Sequence, residues 1–226
     1  SCGIKGNRSA NLALMNCDTL IAIGTSLHQQ TVGWDPGPFR ESPSHKIWFE
    51  IDGNILHARR NLVDEAIQMT SQAAGALLIS ELAEMYSSKK RWKCWHSTTS
   101  EWRSKYLHHF PAHAKEDDHM CLYKAISSLD SYADKFSAVV TDAGLVWYAV
   151  AQHFFVADDS YFISSGSFGS MGMALPFAIG AASALRKPTL AITGDGSLMM
   201  CLSELATLKA QNLPILLVVN NNDGYV

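Results

Sequence analysis

The stretch "GDGSLMMCLSELATLKAQNLPILLVVNNNDGY", residues 194–225, decides the fold. It opens with an acid between two glycines, and it closes with three asparagines followed by a second acid. Between these polar ends, one apolar segment suits a helix, and the apolar run 215–220 suits a buried strand. A further apolar run, residues 189–193, comes directly before the stretch. The order strand, helix, strand predicts two parallel neighbouring strands whose carboxyl ends meet at one edge of a sheet.

The polar residues of this stretch follow the two predicted strands. Asp195 leaves the first strand, and Asn222 leaves the second, 222 − 195 = 27 positions later. The carboxyl edge of a doubly wound sheet, where a strand end meets a helix start, is a binding place for phosphate groups. An acid there would repel a bare anion, whereas Mg²⁺ is typically held by one or two protein oxygens together with phosphate oxygens. The pattern therefore predicts a magnesium and phosphate site.

Composition limits the remaining choices of protein class. The chain has 226 residues and a mass of 24.8 kDa, which suits two modest domains. Hydrophobic residues make up 47% and charged residues 17%, so packed cores are expected. A net charge of -3 with scattered Lys and Arg argues against nucleic-acid or membrane binding. The five cysteines form no CxxC pair, so we expect no disulfide framework and a cytoplasmic location.

The periodicity of the rest of the chain predicts an α/β fold with two doubly wound parallel-sheet units. The expected domains are residues 1–85, an interdomain connection with a short helix at 86–118, and residues 119–226. The predicted strands are 18–24, 46–51, 138–141, 161–163, 189–193 and 215–220, and the predicted helices are 9–16, 73–85, 120–129, 145–153, 174–185 and 198–211. The chain does not begin with Met and stops just after the predicted site, so we expect both units to be incomplete parts of a longer protein.

Several motifs together resemble one enzyme family. "GDGS", "NLPI" and "NNDGY" are similar to the diphosphate and metal motif of the thiamine-diphosphate-dependent enzymes that include acetolactate synthase and pyruvate decarboxylase. "SSGSFGSMGMALPFAIGAA" (164–182) and "VVTDAG" (139–144) resemble other parts of the same cofactor-binding domain. "GNRSANLALMNCDTLIAIGTSL" and "KIWFEIDGN" resemble the second half of the family's nucleotide-binding-like middle domain. The resemblance implies thiamine diphosphate and Mg²⁺ as cofactors.

The resemblance also assigns roles to residues of the metal motif. Asp195 and Asn222 would give side-chain oxygens to Mg²⁺, and Gly224 would give its carbonyl. The amides of Gly196 and Ser197 would hold the diphosphate.

A second group of residues would hold the rest of the cofactor. Gly169 and Met171 fall where the family contacts the aminopyrimidine ring, and Met171 would prop the cofactor into a V shape. Ser170, Gly194 and Tyr225 complete the set of predicted cofactor-binding residues. The family's activating Glu belongs to a separate N-terminal domain, so the resemblance assigns no catalytic residue here. It implies a homodimer or homotetramer in the full-length form, and an inactive isolated fragment.

Two positions depart from the family pattern. Leu145-Val146 stand where acetolactate synthases usually carry a Gln-His pair, so one polar contact to the diphosphate is missing. "GTSLHQQ" (24–30) stands where flavin-binding relatives carry an Arg and acidic residues, which makes bound FAD doubtful.

Alternatives remain open for the residues and for the function. Asp195 could be a turn residue that caps a helix, and Met171 could be ordinary core packing. His109 and His113 have the spacing of a helical zinc pair, but Pro111 lies between them and favours a structural role. The expected function is a carboligase of acetolactate-synthase type that decarboxylates a 2-keto acid such as pyruvate. The alternatives are a non-oxidative 2-keto acid decarboxylase and a non-catalytic remnant acting as a structural or interaction module.

Overall fold

The chain forms two α/β units, each built on one parallel sheet. The computed structural model describes residues 2–42, 45–83, 92–106, 110, 120–166, 168–222 and 224. The units span residues 1–107 and 108–226. Over the described ranges, no helix has both the length and the apolar character that crossing a membrane requires.

The first unit contains a three-stranded sheet in the order β1-β2-β3. Its strands are β1 (Thr19–Ile23), β2 (His45–Glu50) and β3 (Glu65–Gln68). All neighbours are parallel, with Ile21 opposite Ile47 and Ile47 opposite Glu65. The helices of this unit are α1 (Arg8–Asn16), α2 (Gln29–Val32), α3 (Gly37–Glu41), α4 (Gly53–Arg59), α5 (Ser71–Ala83) and α6 (Lys93–Tyr106).

One face of this sheet carries the core of the first unit. Trp48 on β2 is completely buried and packs with Ala22, Leu27, Phe39 and Leu62. The Trp48 indole N–H donates a hydrogen bond of 2.7 Å to the carbonyl of Thr25, so the one polar atom of the side chain is satisfied inside the core. This bond fixes the loop that leaves β1.

Helix α6 is longer than the short helix expected in the connection 86–118. It has 14 residues and packs against α1 within the first unit. The Trp95 and Trp102 rings meet edge to face at 5.9 Å, and the Arg8 guanidinium lies 4.7 Å from the centre of the Tyr106 ring. Aromatic and cation–π contacts thus hold a helix whose sequence has no clean apolar period. The three-part domain division stays a prediction.

The second unit contains a four-stranded parallel sheet in the order β5-β4-β6-β7. Its strands are β4 (Ala138–Thr141), β5 (Tyr161–Ser164), β6 (Thr189–Gly194) and β7 (Ile215–Asn220). Its helices are α7 (Leu122–Asp130), α8 (Leu145–His153), α9 (Ala174–Leu185), α10 (Asp195–Met199) and α11 (Glu204–Gln211). This arrangement confirms the predicted α/β class with two parallel sheets.

Helices cover both faces of this second sheet. Val139 on β4 points into a cluster with Val146 and Val150 of α8, while its neighbour Val140 points into a separate cluster with Ala178 of α9. All four residues of β4 are buried, as expected for a central strand of a parallel sheet. The unit is therefore doubly wound.

The helix predicted over residues 198–211 is wrong, because the structure has two helices there. Helix α10 ends at Met199, and α11 begins at Glu204. The intervening segment turns by hydrogen bonds from the Met200 amide to the Ser197 carbonyl and from the Glu204 amide to the Cys201 carbonyl. The turn before α9 approaches this break closely, since a Cβ on Gly172 would lie 2.9 Å from Met200 Cβ. The break between α10 and α11 thus leaves room for the turn at Gly172.

Candidate functional site

The pairing of β6 with β7 sets the position of the candidate site. The two strands run parallel in a register that places Gly194 opposite Asn220 at their carboxyl ends. Asp195 follows Gly194 directly, and Asn222 comes two residues after Asn220. The topology therefore delivers both side chains to the same edge of the sheet, as the strand, helix, strand order predicts.

Three oxygen-bearing groups converge at this edge. The end of the Asn222 amide lies 3.0 Å from Asp195 Oδ1 and 3.1 Å from the Gly224 carbonyl oxygen. With its nitrogen turned to them, the amide donates a hydrogen bond to each oxygen. With its oxygen turned to them, the amide oxygen faces two acceptors, and a cation between the groups would relieve the repulsion. The amide orientation with the nitrogen inward thus suits the metal-free site, and the orientation with the oxygen inward suits a bound metal.

The spacing of these groups fits Mg²⁺. Two oxygens at right angles around a common Mg²⁺, each at ~2.1 Å, lie about 3.0 Å apart. A carboxylate, an amide and a backbone carbonyl are also the hard oxygen donors that this ion prefers. Within the described ranges, no group of three or more His, Cys, Asp or Glu could hold a metal. His109 and His113, the alternative zinc pair, lie outside the described residues.

A cleft of about 390 Å³ extends from this edge. Its volume lies in the range of small-molecule sites. One wall is apolar and is formed by Ala143, Leu145, Val146 and Met171. The predicted cofactor-binding residues that line the cleft are Gly169, Met171, Gly194, Asp195, Gly196, Ser197, Asn222 and Gly224.

Two predicted residues do not join this set. Ser170 is a described residue but does not line the cleft. Tyr225 lies outside the described residues. Both assignments remain predictions, as do the roles of the residues that line the cleft.

Glycines keep the cleft open. A Cβ on Gly169, Gly194 or Gly224 would meet no heavy atom within 4 Å. Gly169 and Gly172 have φ values of +65° and +77°, which favour glycine and allow the tight turn that carries the half-buried Met171 between them. The turn therefore presents the large apolar side chain of Met171 between two glycines, which have no side chain.

Helix α10 brings backbone donors to the cleft. Its N-cap is Gly194, and no side chain of that residue can satisfy the amides of the first turn. Ser197, in this turn, is buried and lines the cleft. Backbone donors of this kind suit an anionic group.

Cys201 lies behind this helix as a buried thiol. It donates a hydrogen bond of 3.7 Å to the carbonyl of Ser197. Burial raises the pKa of the Cys201 thiol, and the negative charges of Asp142 and Glu204 raise it further. The thiol therefore stays protonated at neutral pH and is unsuited to act as a nucleophile.

Sequence reasoning missed the role of Asp142. This carboxylate follows β4 and is only 1% exposed. It accepts hydrogen bonds from the amides of Ala143 and Ala174 and from the hydroxyl of Thr193. The available signal was an acid placed directly after four apolar or hydroxyl residues of a buried strand, since such an acid needs internal donors.

Comparison with known proteins supports the cofactor assignment for this unit. The model of the family "Thiamine pyrophosphate enzyme, C-terminal TPP binding domain" matches residues 142–226. The matched region begins at Asp142 and contains every residue of the convergent oxygen set.

Similar proteins match nearly the whole chain. The acetolactate synthase isozyme 1 large subunit of Escherichia coli is 28% identical over 223 residues, which cover 98% of this chain and 38% of that protein. The acetolactate synthase catalytic subunit, mitochondrial, of Saccharomyces cerevisiae is 26% identical over 98% of this chain and 33% of its own length. The probable acetolactate synthase large subunit of Methanocaldococcus jannaschii is 29% identical over 97% of this chain and 37% of its own length.

These relatives agree in kind and in coverage. The chain spans 33% to 38% of the length of these relatives. The family model accounts for the second unit, and the similarity to the large subunits extends through the first. Residues 142–226 thus match the C-terminal TPP binding domain of thiamine pyrophosphate enzymes, and nearly the whole chain is similar to acetolactate synthase large and catalytic subunits.

Proposed function

We propose that this chain supplies the Mg²⁺ and diphosphate side of the cofactor site in a carboligase of acetolactate-synthase type. The enzyme would decarboxylate a 2-keto acid such as pyruvate and join the remaining two-carbon unit to a second carbonyl compound. The observation that carries the proposal is the convergence of Asp195, Asn222 and Gly224 at 3.0 to 3.1 Å. The names of the relatives support the choice of reaction.

Different residues of the cleft would bind Mg²⁺ and the diphosphate. Asp195, Asn222 and the Gly224 carbonyl would hold Mg²⁺, and the amides of Gly196 and Ser197 would hold the diphosphate. When bound, thiamine diphosphate supplies a nucleophilic carbon and a sink for the negative charge left when CO₂ departs. The metal site would fix one end of the cofactor and so determine where its reactive part lies.

The apolar wall would shape the reactive end of the site. Met171 is half-buried, lines the cleft and is held on a turn between two glycines of positive φ. A bulky apolar side chain there can support a bent cofactor from one side. Leu145 and Val146 add further apolar side chains to the lining.

A partner surface completes the proposal. The activating Glu is expected on an N-terminal domain, supplied by another copy in a homodimer or homotetramer. Phe168 is 93% exposed beside Gly169, and Met199 is 67% exposed at the end of α10. Exposed apolar side chains next to a cleft suit coverage by a protein surface. All five cysteines are free, which agrees with a reducing cytoplasm.

FAD is not part of the proposed site. Two carbonyls of the loop after β1 accept hydrogen bonds from other elements of the first unit, since Trp48 of β2 donates to the Thr25 carbonyl and the Arg59 guanidinium of α4 donates to the Ser26 carbonyl. The His28 ring accepts from the amide of Gln30 at the start of α2. These groups do not form a phosphate cradle, so we derive no step through a flavin.

A second candidate function is non-oxidative decarboxylation of a 2-keto acid. Leu145 is 37% exposed and lines the cleft, where the resemblance to acetolactate synthases leads us to expect a polar side chain. This departure from the acetolactate synthase pattern is the observation that favours the second candidate. A non-catalytic remnant is disfavoured, because the three oxygen donors remain together.

Product analysis of the complete gene product tests the proposal. The protein is incubated with labelled pyruvate, Mg²⁺ and thiamine diphosphate, and the products are identified by NMR. We expect acetolactate, with turnover that needs both cofactors and is lost in Asp195→Ala. The matched control is Asp159→Ala, an exposed acid of the same unit that does not line the cleft. Acetaldehyde alone would select the decarboxylase, and full turnover by Asp195→Ala would contradict the proposed site.

A further inference from the structure

Asp142 is a buried carboxylate whose hydrogen bonds join three segments. Its Oδ1 accepts from the Ala143 amide at 3.0 Å, within its own loop. Its Oδ2 accepts from the Ala174 amide at 3.1 Å and from the Thr193 hydroxyl at 3.0 Å. These partners are neutral donors, and together they use both oxygens of the carboxylate. A buried charge held in this way is costly to disturb.

The two partners of Oδ2 are close in sequence to two different lining residues of the cleft. Ala174 is the first residue of α9 and comes three residues after Met171. Thr193 comes two residues before Asp195 and is itself only 1% exposed. One oxygen atom therefore links the start of the helix behind the Met171 turn to the end of the strand before the metal loop.

Asp142 also acts as a cap for α9 from a distance. The local N-cap residue, Met173, makes no side-chain capping bond. The Asp142 carboxylate instead accepts from the first amide of the helix, where a negative charge is favourable. The start of α9, and with it the Met171 turn, is thus held by a residue that belongs to the end of β4.

We propose that Asp142 is a positioning residue that fixes the separation between the Met171 turn and the Asp195 loop by bridging the Ala174 amide and the Thr193 hydroxyl. This inference rests on the proposed function of the cleft. Asp142 does not line the cleft, so it acts through these neighbours and not by contact with a ligand.

The chain offers substitutions that remove single links. Thr193→Val keeps the shape of the side chain and removes the hydroxyl that donates to Asp142, whereas Thr193→Ser keeps the hydroxyl and removes a methyl group. Asp142→Asn keeps the size but turns one acceptor into a donor, which then faces the Ala143 amide or the Ala174 amide. Ile126→Val trims a fully buried residue of α7 and serves as a control for stability alone.

Binding and hydrogen exchange are measured on the complete gene product. Calorimetry gives the affinity for thiamine diphosphate in excess Mg²⁺, and amide exchange of the unloaded protein reports on residues 171–174 and 193–197. We expect Thr193→Val to weaken binding about tenfold and to speed exchange in both segments. Thr193→Ser should restore binding to within about twofold of the wild type. Asp142→Asn combined with Thr193→Val should bind no more weakly than the weaker single variant, because both remove the same link.

The results separate positioning from stability. A loss of affinity that follows the loss of stability, and so appears equally in Thr193→Ser and Ile126→Val, would overturn the inference. Unchanged exchange in residues 171–174 in Thr193→Val would also overturn it, because the link would then not reach the Met171 turn. Failure of the wild type to bind thiamine diphosphate would contradict the proposed function. Amide exchange of the unloaded variants would still test whether Asp142 links the two segments.

Discussion

Gly172→Ala tests the close approach on which the cleft depends. Gly172 has a φ of +77°, a conformation that costs an L-residue about 1–2 kcal/mol. A Cβ there would lie 2.9 Å from Met200 Cβ and 3.3 Å from the Ser197 carbonyl oxygen. Neither atom can rotate away, because one is bonded to the main chain and the other belongs to it. Overpacking of this kind adds about 1–3 kcal/mol, so we expect the free energy of unfolding to fall by about 2–5 kcal/mol.

The matched control is Gly180→Ala, the same substitution inside α9. A Cβ on Gly180 would meet no heavy atom within 4 Å, and replacing glycine inside a helix stabilises it by about 0.5–1 kcal/mol. Urea unfolding followed by circular dichroism gives both values. Equal stability of the two variants would refute the reasoning, since the space and the backbone angle at the two positions differ.

Changes at three further positions test the site and its surroundings. Asp195→Asn should weaken Mg²⁺-dependent binding of thiamine diphosphate by at least about tenfold through loss of the charge, and Asp195→Ala should abolish it; unchanged affinity in calorimetry would exclude the metal role. Met171→Ala should lower turnover more than cofactor affinity, because the diphosphate supplies the anchoring; equal loss of both would indicate core packing. Burial raises the pKa of Cys201, so the folded state keeps the thiol proton to a higher pH than the unfolded chain does. The protonated thiol therefore contributes its full share to the free energy of unfolding at neutral pH, and this share is lost as pH rises above the ordinary pKa of 9.0. Replacing Cys201 by Ala should flatten that alkaline loss, and the exposed Cys94 should react with iodoacetamide far faster than Cys201.

Elements with a continuous apolar sequence were the ones most readily predicted. The predicted ranges for β4, α8, α9 and β7 agree residue for residue with the structure. Each is a continuous apolar run with turn residues at its ends, so local pattern and tertiary burial favour the same structure. The convergence at Asp195 followed from the same source, because parallel topology alone brings neighbouring strand ends to one edge.

Elements decided by distant contacts could not be predicted in this way. Strand β3 has only four residues, two of them polar, and forms by pairing with β2. The break between α10 and α11 lies against the turn at Gly172, which is far away in the sequence. The bridge made by Asp142 likewise joins residues 32 and 51 positions away. Local periodicity and residue propensity do not indicate contacts between residues that are distant in the sequence.

The position of the bound metal is the most direct test of the proposed site at Asp195, Asn222 and Gly224. Crystals of the complete gene product grown with thiamine diphosphate and Mn²⁺, a spectroscopic and crystallographic substitute for Mg²⁺, give the metal position from anomalous scattering. We expect one peak at bonding distance from an Asp195 carboxylate oxygen, the Asn222 amide oxygen and the Gly224 carbonyl, with diphosphate oxygens completing the shell. A metal bound elsewhere, or thiamine diphosphate bound with no metal between Asp195 and Asn222, would contradict it.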